Sequence, residues 1–284
     1  MQQKRGDEDQ KKHNNVEDTS KRESVGEDIE EGVESVVEEA KLAVATARRP
    51  WYQSLRWGSI LLVVYAILLA LFTLLAWWVS YQPVISADVT ITRGFQENQA
   101  PWLSFTMSAV SFIGNKTALS LALIVVTATL LWIVDLRLEA IMVVAVSATS
   151  SLLNGLIKYI VARPRPTSHL VDVMQIAGGK SFPSGHVMSY IAFWGLLFSF
   201  TFILFKGNHW WRTALLIVSG LFVVLVGPSR IYLGDHWATD VLGAYLIGGV
   251  LLGVALWIYL DLKGKGVLAP RGQRARHFHE KYLK

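Results

Sequence analysis

The chain has 284 residues, no cysteine, 52% hydrophobic and 17% charged residues, and 11 tryptophans. That balance excludes a disordered chain, a disulfide-stapled secreted domain and a metal site built from thiolates. Residues 1–50 hold 13 of the 22 acids against 9 of the 27 bases, so the net charge of +5 combines about −4 there with about +9 in the remainder. The remaining bases cluster between long apolar stretches, not among aromatics along a polar face, which argues for a membrane and against nucleic acid.

Residues 1–27 are rich in Lys, Asp, Glu, Gln and Asn and are expected to be disordered. Over 28–47, Ile29, Val33, Val36, Val37, Ala40 and Val44 recur at helical spacing. That pattern fits a cytoplasmic amphipathic helix or a partly ordered solvated tail. The first 30 residues carry no apolar core, so no cleavable signal peptide is expected and the first span serves as the targeting signal.

Six apolar stretches at about 58–80, 117–134, 139–157, 187–205, 213–227 and 240–260 approach the roughly 17–25 residues a helix needs to cross a membrane. The fifth is the shortest, bounded by Trp210, Trp211 and Arg212 before it and Gly227-Pro228 after it. Residues 101–114 are apolar but too short, which predicts an interfacial or re-entrant helix. Trp77, Trp78, Tyr81, Trp102, Trp132, Trp257 and Tyr259 fall near span ends, where amphipathic rings anchor. Backbone in lipid must satisfy its own hydrogen bonds, so the expected fold is all-α, a six-transmembrane-helix bundle over 51–262. An acidic extension (1–50) and a basic tail (263–284) flank it.

Arg48, Arg49 and Arg56 precede the first span, and Lys263, Lys265, Arg271, Arg274, Arg276, Lys281 and Lys284 follow the last. The positive-inside rule then puts both termini in the cytoplasm of a multi-pass cell-membrane protein. One external loop breaks that rule: 158–186 carries Lys158, Arg163, Arg165 and Lys180 against Asp172 alone. Topology does not call for charge there, so function is the better reason for it.

In this topology four span ends meet on the external face. They carry Lys158 and Arg165, Ser184-Gly185-His186, Ser229-Arg230, and His236 with Asp240. Lys158, Arg165 and Arg230 supply fixed positive charge, and arginine offers a planar fork matched to phosphate oxygens. Ser184-Gly185 lies in a turn before a helix, where free N–H groups favour an anion. His236 and Asp240 stand four apart, so if the sixth helix starts near them they share a face, and the carboxylate can hold one ring nitrogen and leave the other free to attack phosphorus. His186 can give a proton to the departing oxygen and later activate water.

The three stretches, Lys158-x6-Arg165-Pro166, Pro183-Ser184-Gly185-His186 and Ser229-Arg230-x5-His236-x3-Asp240, resemble the signature of the type 2 phosphatidic acid phosphatase superfamily. That superfamily includes bacterial acid phosphatases, glucose 6-phosphatases and vanadium haloperoxidases. The resemblance covers about 57–260 and implies that Lys158, Arg165 and Arg230 bind phosphate with help from Ser184 and Gly185. It further implies that His186 is the acid, that His236 forms a phosphohistidine and that Asp240 is its partner. It implies no metal or other cofactor, and a lipid phosphate substrate.

Taken singly, these residues have plainer readings. Lys158 could snorkel at a helix end, and Ser229 or Asp240 could cap a helix. Arg163 reads as a loop cation or an outer support and is left out of the core set. His236 and Asp240 could hold a metal, but three cations nearby oppose a divalent ion. His169, Asp172, Lys180 and Asp235 are read as structural or solvated, with Lys180 able to touch a second phosphate. His209, His277 and His279 fall on the opposite face. Two other functions compete. A serine protease using Ser184 and His236 has no use for three phosphate-type cations. A lipid-phosphate transporter or binder has no use for the His-Asp pair. Among lipid phosphates, an external site favours undecaprenyl diphosphate, with phosphatidate or phosphatidylglycerophosphate next. Membrane lipids are the other expected partners.

Overall fold

The computed structural model describes residues 55–268, Ile176 excepted. The expectations for 1–50 and for most of the basic tail lie outside those residues. The chain divides into two compact units, Met1–Val63 and Val64–Lys284. In the first, the described residues are the opening turns of α1; the helices and the site below belong to the second.

Among the described residues the structure is all helix and loop. Eight helices follow in order: α1 (Leu55–Tyr81), α2 (Ser86–Gln96), α3 (Pro101–Asn115), α4 (Thr117–Ile133), α5 (Arg137–Val161), α6 (Gly185–Leu204), α7 (Trp210–Tyr232) and α8 (Ala238–Gly264). Five of them, α1, α5, α6, α7 and α8, are long and apolar enough to cross a membrane. α3 and α4 pass together as a pair bent by 73°, which makes six spans if the pair counts as one. The six-span expectation is borne out in this form.

α6 is the most enclosed span and touches α3, α5, α7 and α8. Val187, Met188, Tyr190 and Ile191 from α6 pack with Val226 and Ile231 of α7 and with Val241, Ala244 and Ile247 of α8 in one buried cluster. A second cluster, nearer the other ends of the helices, joins Leu138, Met142 and Val146 to Leu196, Phe200 and Tyr259. By contrast α4, which packs along α5 and beside α3, fully buries none of its residues, as suits a helix at the edge of the bundle with one side toward hydrocarbon.

Several boundaries differ from the sequence reading by a few residues and one expected loop is a helix; two of these differences have a clear local cause. Residues 86–96, expected as external loop, form α2, which opens with Asp88 in its first turn, where a carboxylate suits the helix dipole. The fifth span does not stop at Gly227-Pro228 but runs to Tyr232. Pro228 has no N–H for the Val224 carbonyl. Tyr245 of α8 covers the break: its one hydroxyl proton goes to Val223 O at 2.7 Å with Val224 O at 3.3 Å as a weaker second acceptor, and its oxygen accepts from Gly227 N–H. The helix therefore continues and delivers Ser229 and Arg230 on its last turn. α8 starts two residues earlier than expected, at Ala238.

Candidate active site

α5 and α8 run antiparallel: Glu139 near the start of α5 meets Tyr259 and Lys263 near the end of α8, and Arg163, just past α5, meets Asp240 in the first turn of α8. The site forms at this second end. α5 terminates with Ala162 in the left-handed region (φ 51°), its N–H bonded back to Lys158 O at 3.0 Å. Pro164 and Pro166 then prevent resumption of the helix. The loop that follows is pinned at several points. Ser181 N–H donates to Arg163 O, Ser184 N–H to Asp240 O, and the Asn154 amide to Pro183 O at 3.1 Å. From α2, Gln96 donates to Asp172 O at 2.6 Å and to Tyr232 O at 2.9 Å, tying the loop to the end of α7. Gly234 (φ 71°) completes the turn after α7, and a Cβ there would lie 2.1 Å from Asp172 O.

Asp240 sits at the third position of α8 and accepts the Trp237 N–H at 2.9 Å on Oδ2, so it caps the helix. The same oxygen accepts the Ser181 hydroxyl and lies 3.4 Å from His236 Nδ1. On the far side of the ring, Arg165 Nη1 stands 3.2 Å from His236 Nε2. A guanidinium can only donate, so Nε2 acts as acceptor and the proton belongs on Nδ1, facing Asp240. The ring is 1% exposed. Burial depresses its pKa to about 3, with Asp240 opposing the shift and Arg165 and Arg230 adding to it. His236 is thus a neutral imidazole with its Nε2 lone pair turned toward a cation.

Arg165 faces that nitrogen, and Arg230 and Lys158 stand near Arg165. Arg165 is held by Gly178 O and Gly179 O through Nε and by Asp235 O at 2.8 Å through Nη1. Arg230 is 1% exposed; it pairs with Asp235 and donates to Ser111 Oγ and to Asn115 Oδ1 of α3. Burial raises the Asp235 pKa against the pull of Arg230 and Arg165. Lys158 Nζ donates to Lys180 O at 2.5 Å and lies within electrostatic reach of Arg165, Arg230 and Asp240.

His186, in the first turn of α6, feels the charges of Arg230, Arg165 and Lys158 and of His236. Its ring lies flat against Gly114 of α3, where a Cβ would stand 2.2 Å from Cδ2. Among the described residues, the buried polar atoms without a hydrogen-bond partner include Ser184 Oγ, His186 Nε2 and Arg230 Nε at this end, and both oxygens of Asp235, whose carboxylate meets Arg230 as an ion pair instead. Buried polar atoms are normally satisfied, so three of them beside a cluster of cations suit an oxyanion that brings its own acceptors and one donor.

All eight residues singled out in the sequence therefore fall at this one end of the bundle: Lys158, Arg165, Ser184, Gly185, His186, Arg230, His236 and Asp240. Gly185 opens α6, and a Cβ on it would press 3.1 Å from Asn154 Oδ1. The structure adds residues that the sequence did not flag, Ser181 and Asp88, with Ser111, Gly114 and Asn115 from α3, and it brings in Arg163 and Asp235, which the sequence reading had left outside the core set. Asp235 is buried in an ion pair, a structural place, while His169 and Lys180 are exposed. His236 has Asp240, Ser181 and Arg165 as neighbours and makes no hydrogen bond to Ser184, so no Ser–His pair of a protease is formed.

The PAP2 superfamily pattern matches residues 139–263. A phosphatidylglycerophosphatase B of Bacillus subtilis is 32% identical over 183 residues, covering 63% of this chain and 87% of that protein. An undecaprenyl-diphosphatase of Sulfolobus acidocaldarius is 29% identical over 191 residues, covering 65% and 85%. A crystal structure of a transmembrane PAP2-type phosphatidylglycerolphosphate phosphatase from Bacillus subtilis superposes with a TM-score of 0.58 at 27% identity, covering 70% of this chain and 96% of that one.

Proposed function

Because this chain belongs to the PAP2 superfamily and is a multi-pass membrane lipid phosphatase, we propose that it releases inorganic phosphate by a metal-independent phosphohistidine mechanism centred on His236. The observation that carries this reading is the Arg165 guanidinium directed at His236 Nε2, which leaves that nitrogen unprotonated in a basic pocket. Lys158, Arg165 and Arg230, with Ser184 and the backbone at Gly185, hold the phosphoryl oxygens and favour the charge that develops in transfer.

His236 Nε2 attacks phosphorus as the bond to the lipid oxygen breaks, and the Nδ1–H charge is balanced by Asp240. His186 gives its proton to the departing oxygen. Neutral His186 then takes a proton from water as that water attacks the phosphohistidine, releasing phosphate and restoring both rings. A transporter or passive binder would need the cations but not this pair of histidines.

For the substrate, the names of the relatives support both phosphatidylglycerophosphate and undecaprenyl diphosphate. The sequence expectation put the diphosphate first, and the likeness to a phosphatidylglycerophosphatase supports the monoester equally. An apolar cavity of about 500 Å³, lined by Ile113, Leu121, Ile124, Ser189, Tyr190 and Trp194, begins one turn along α6 from His186 and suits a hydrocarbon chain. The site opens on the external face of the cell membrane with both termini cytoplasmic, and the catalytic domain comprises 51–262; the support is the positive-inside pattern.

Phosphate release by the purified protein across prenyl diphosphates, phosphatidate, phosphatidylglycerophosphate and soluble esters ranks the substrates. No release from any of them overturns the enzyme reading, and activity lost to EDTA and restored by a divalent cation overturns metal independence. The absence of cysteine makes the sidedness easy to read. Ser168→Cys should react with an impermeant maleimide in intact cells and Asn208→Cys should not; the reverse result inverts the topology.

A further inference from the structure

Arg163 takes no part in the steps above, yet its side chain is fully buried. Its Nη1 donates to Asp240 Oδ1 at 2.6 Å and to Thr239 Oγ1 at 2.7 Å, its Nη2 to Asp88 Oδ2 at 2.7 Å and its Nε to Pro83 O at 2.9 Å. Asp88, also fully buried, reaches across from α2: Oδ1 accepts the Thr239 N–H at 2.9 Å and Oδ2 the Thr239 hydroxyl at 2.7 Å. The Trp237 ring lies 5.9 Å from the guanidinium. A charge this deep persists only when its partners are in place.

The arrangement divides the two oxygens of Asp240. Arg163 grips Oδ1, while Ser181 and the Trp237 N–H occupy Oδ2, the oxygen that faces His236 Nδ1. A carboxylate held at both oxygens cannot turn about its own axis. The plane it offers to the His236 ring is therefore set from behind, by α2 and the loop after α5.

We propose that Arg163 and Asp88 are positioning residues of the phosphatase reaction, forming a buried clamp that holds Asp240 and, through it, the Nδ1–H tautomer and ring angle of His236. The proposal rests on the reading of His236 as nucleophile and Asp240 as its partner. Asp88 lies outside the segment that matches the superfamily.

The test uses the full chain purified in detergent, carrying Arg163→Met, Arg163→Lys or Asp88→Asn. The measurements are kcat and KM on a soluble aryl phosphate, inhibition by vanadate and by inorganic phosphate, and the thermal midpoint. Arg163→Met should lower kcat by about 10–100-fold, the scale of a misplaced reacting group, and leave KM within about twofold. Vanadate, which resembles the transition state, should weaken in step with kcat/KM while phosphate inhibition holds. Arg163→Lys should recover part of kcat by returning a charge to Asp240. Asp88→Asn, nearly isosteric, should show the same split at smaller size and carries the test if Arg163→Met does not fold. Unchanged kcat in Asp88→Asn and in every folded Arg163 variant overturns the proposal. So does a loss that weakens vanadate and phosphate equally and follows the thermal midpoint. Turnover that survives His236→Ala instead overturns the proposed mechanism, and this clamp with it.

Discussion

The same two helices, α5 and α8, carry a polar cluster at each end, and the two clusters are built on opposite principles. At one end Glu139, Tyr259 and Lys263 satisfy one another: the Tyr259 hydroxyl and Lys263 Nζ both donate to Glu139 Oε1, at 2.7 and 2.5 Å, and Lys263 also reaches the Tyr259 oxygen. Charge and hydrogen bonds close, and each charge sits at the helix end its sign suits, the acid in the first turn of α5 and the base in the last turn of α8. At the other end Lys158, Arg165 and Arg230 crowd around His236 and His186, and buried polar atoms of Ser184, His186 and Arg230 lack partners. A closed cluster joins helices; an open one is arranged for something that arrives. Arg163 belongs to the closed kind although it stands two residues from Arg165.

The contrast breaks most visibly at the nucleophile. His236→Ala should cut turnover by at least about a thousandfold and abolish the acid-labile phosphoenzyme trapped from labelled substrate, since the covalent route is lost. Persistent turnover would make the open cluster a mere binding site. Arg230→Gln should lower kcat/KM by about a hundredfold with a matching loss of vanadate inhibition, as removal of a transition-state donor does. Gly114→Ala would push the His186 ring from its seat. Here kcat should fall about tenfold while KM changes little, and a wild-type rate would show that the His186 position is not demanding.

The closed end should behave in the reverse way. Glu139→Gln should destabilise the protein by about 2 kcal/mol, toward the low side for a broken buried pair because Lys263 is partly exposed, and leave kcat within about twofold. A comparable loss of kcat would couple the two ends. The finest test concerns the His236 proton. With its folded pKa near 3, the ring stays neutral down to about that pH, so its labelled nitrogen resonances should not titrate between pH 8 and 5. A midpoint near 6.5 would mean that the pocket admits water and that the nucleophile competes with a proton.

Much of the site was legible because its chemistry is carried by residue types at short spacings. His236 and Asp240 are four residues apart, and Ser184-Gly185-His186 are consecutive, so short spacing already brings them near one another; His236 meets Asp240 from the turn before α8, not from the helix face that the sequence suggested. The spans were legible by length and hydropathy, because lipid leaves the backbone no other partner. The fifth span was read five residues short because a proline normally ends a helix, and the repair comes from Tyr245 on another helix. The part of the site on α3 gave no signal: Ser111, Gly114 and Asn115 are ordinary residues of an apolar stretch until the bend at Lys116 seats them against Arg230 and His186.

By itself, the sequence determined that the chain lies in a membrane, that one loop gathers Lys158, Arg163, Arg165 and Lys180, and that this charge accompanies two histidines and an acid of types suited to phosphate. These follow from composition, periodicity and local spacing. The signature resemblance already separated Arg165 from Arg163, but what each side chain meets was decided by the tertiary structure. Arg163 and Arg165 flank one proline in a loop that has left its helix, so no period sets where each points. Only the arrival of Asp88 from 75 residues upstream turns Arg163 inward and leaves Arg165 facing His236. A buried guanidinium goes where carboxylates wait for it, and that is a property of the packed fold.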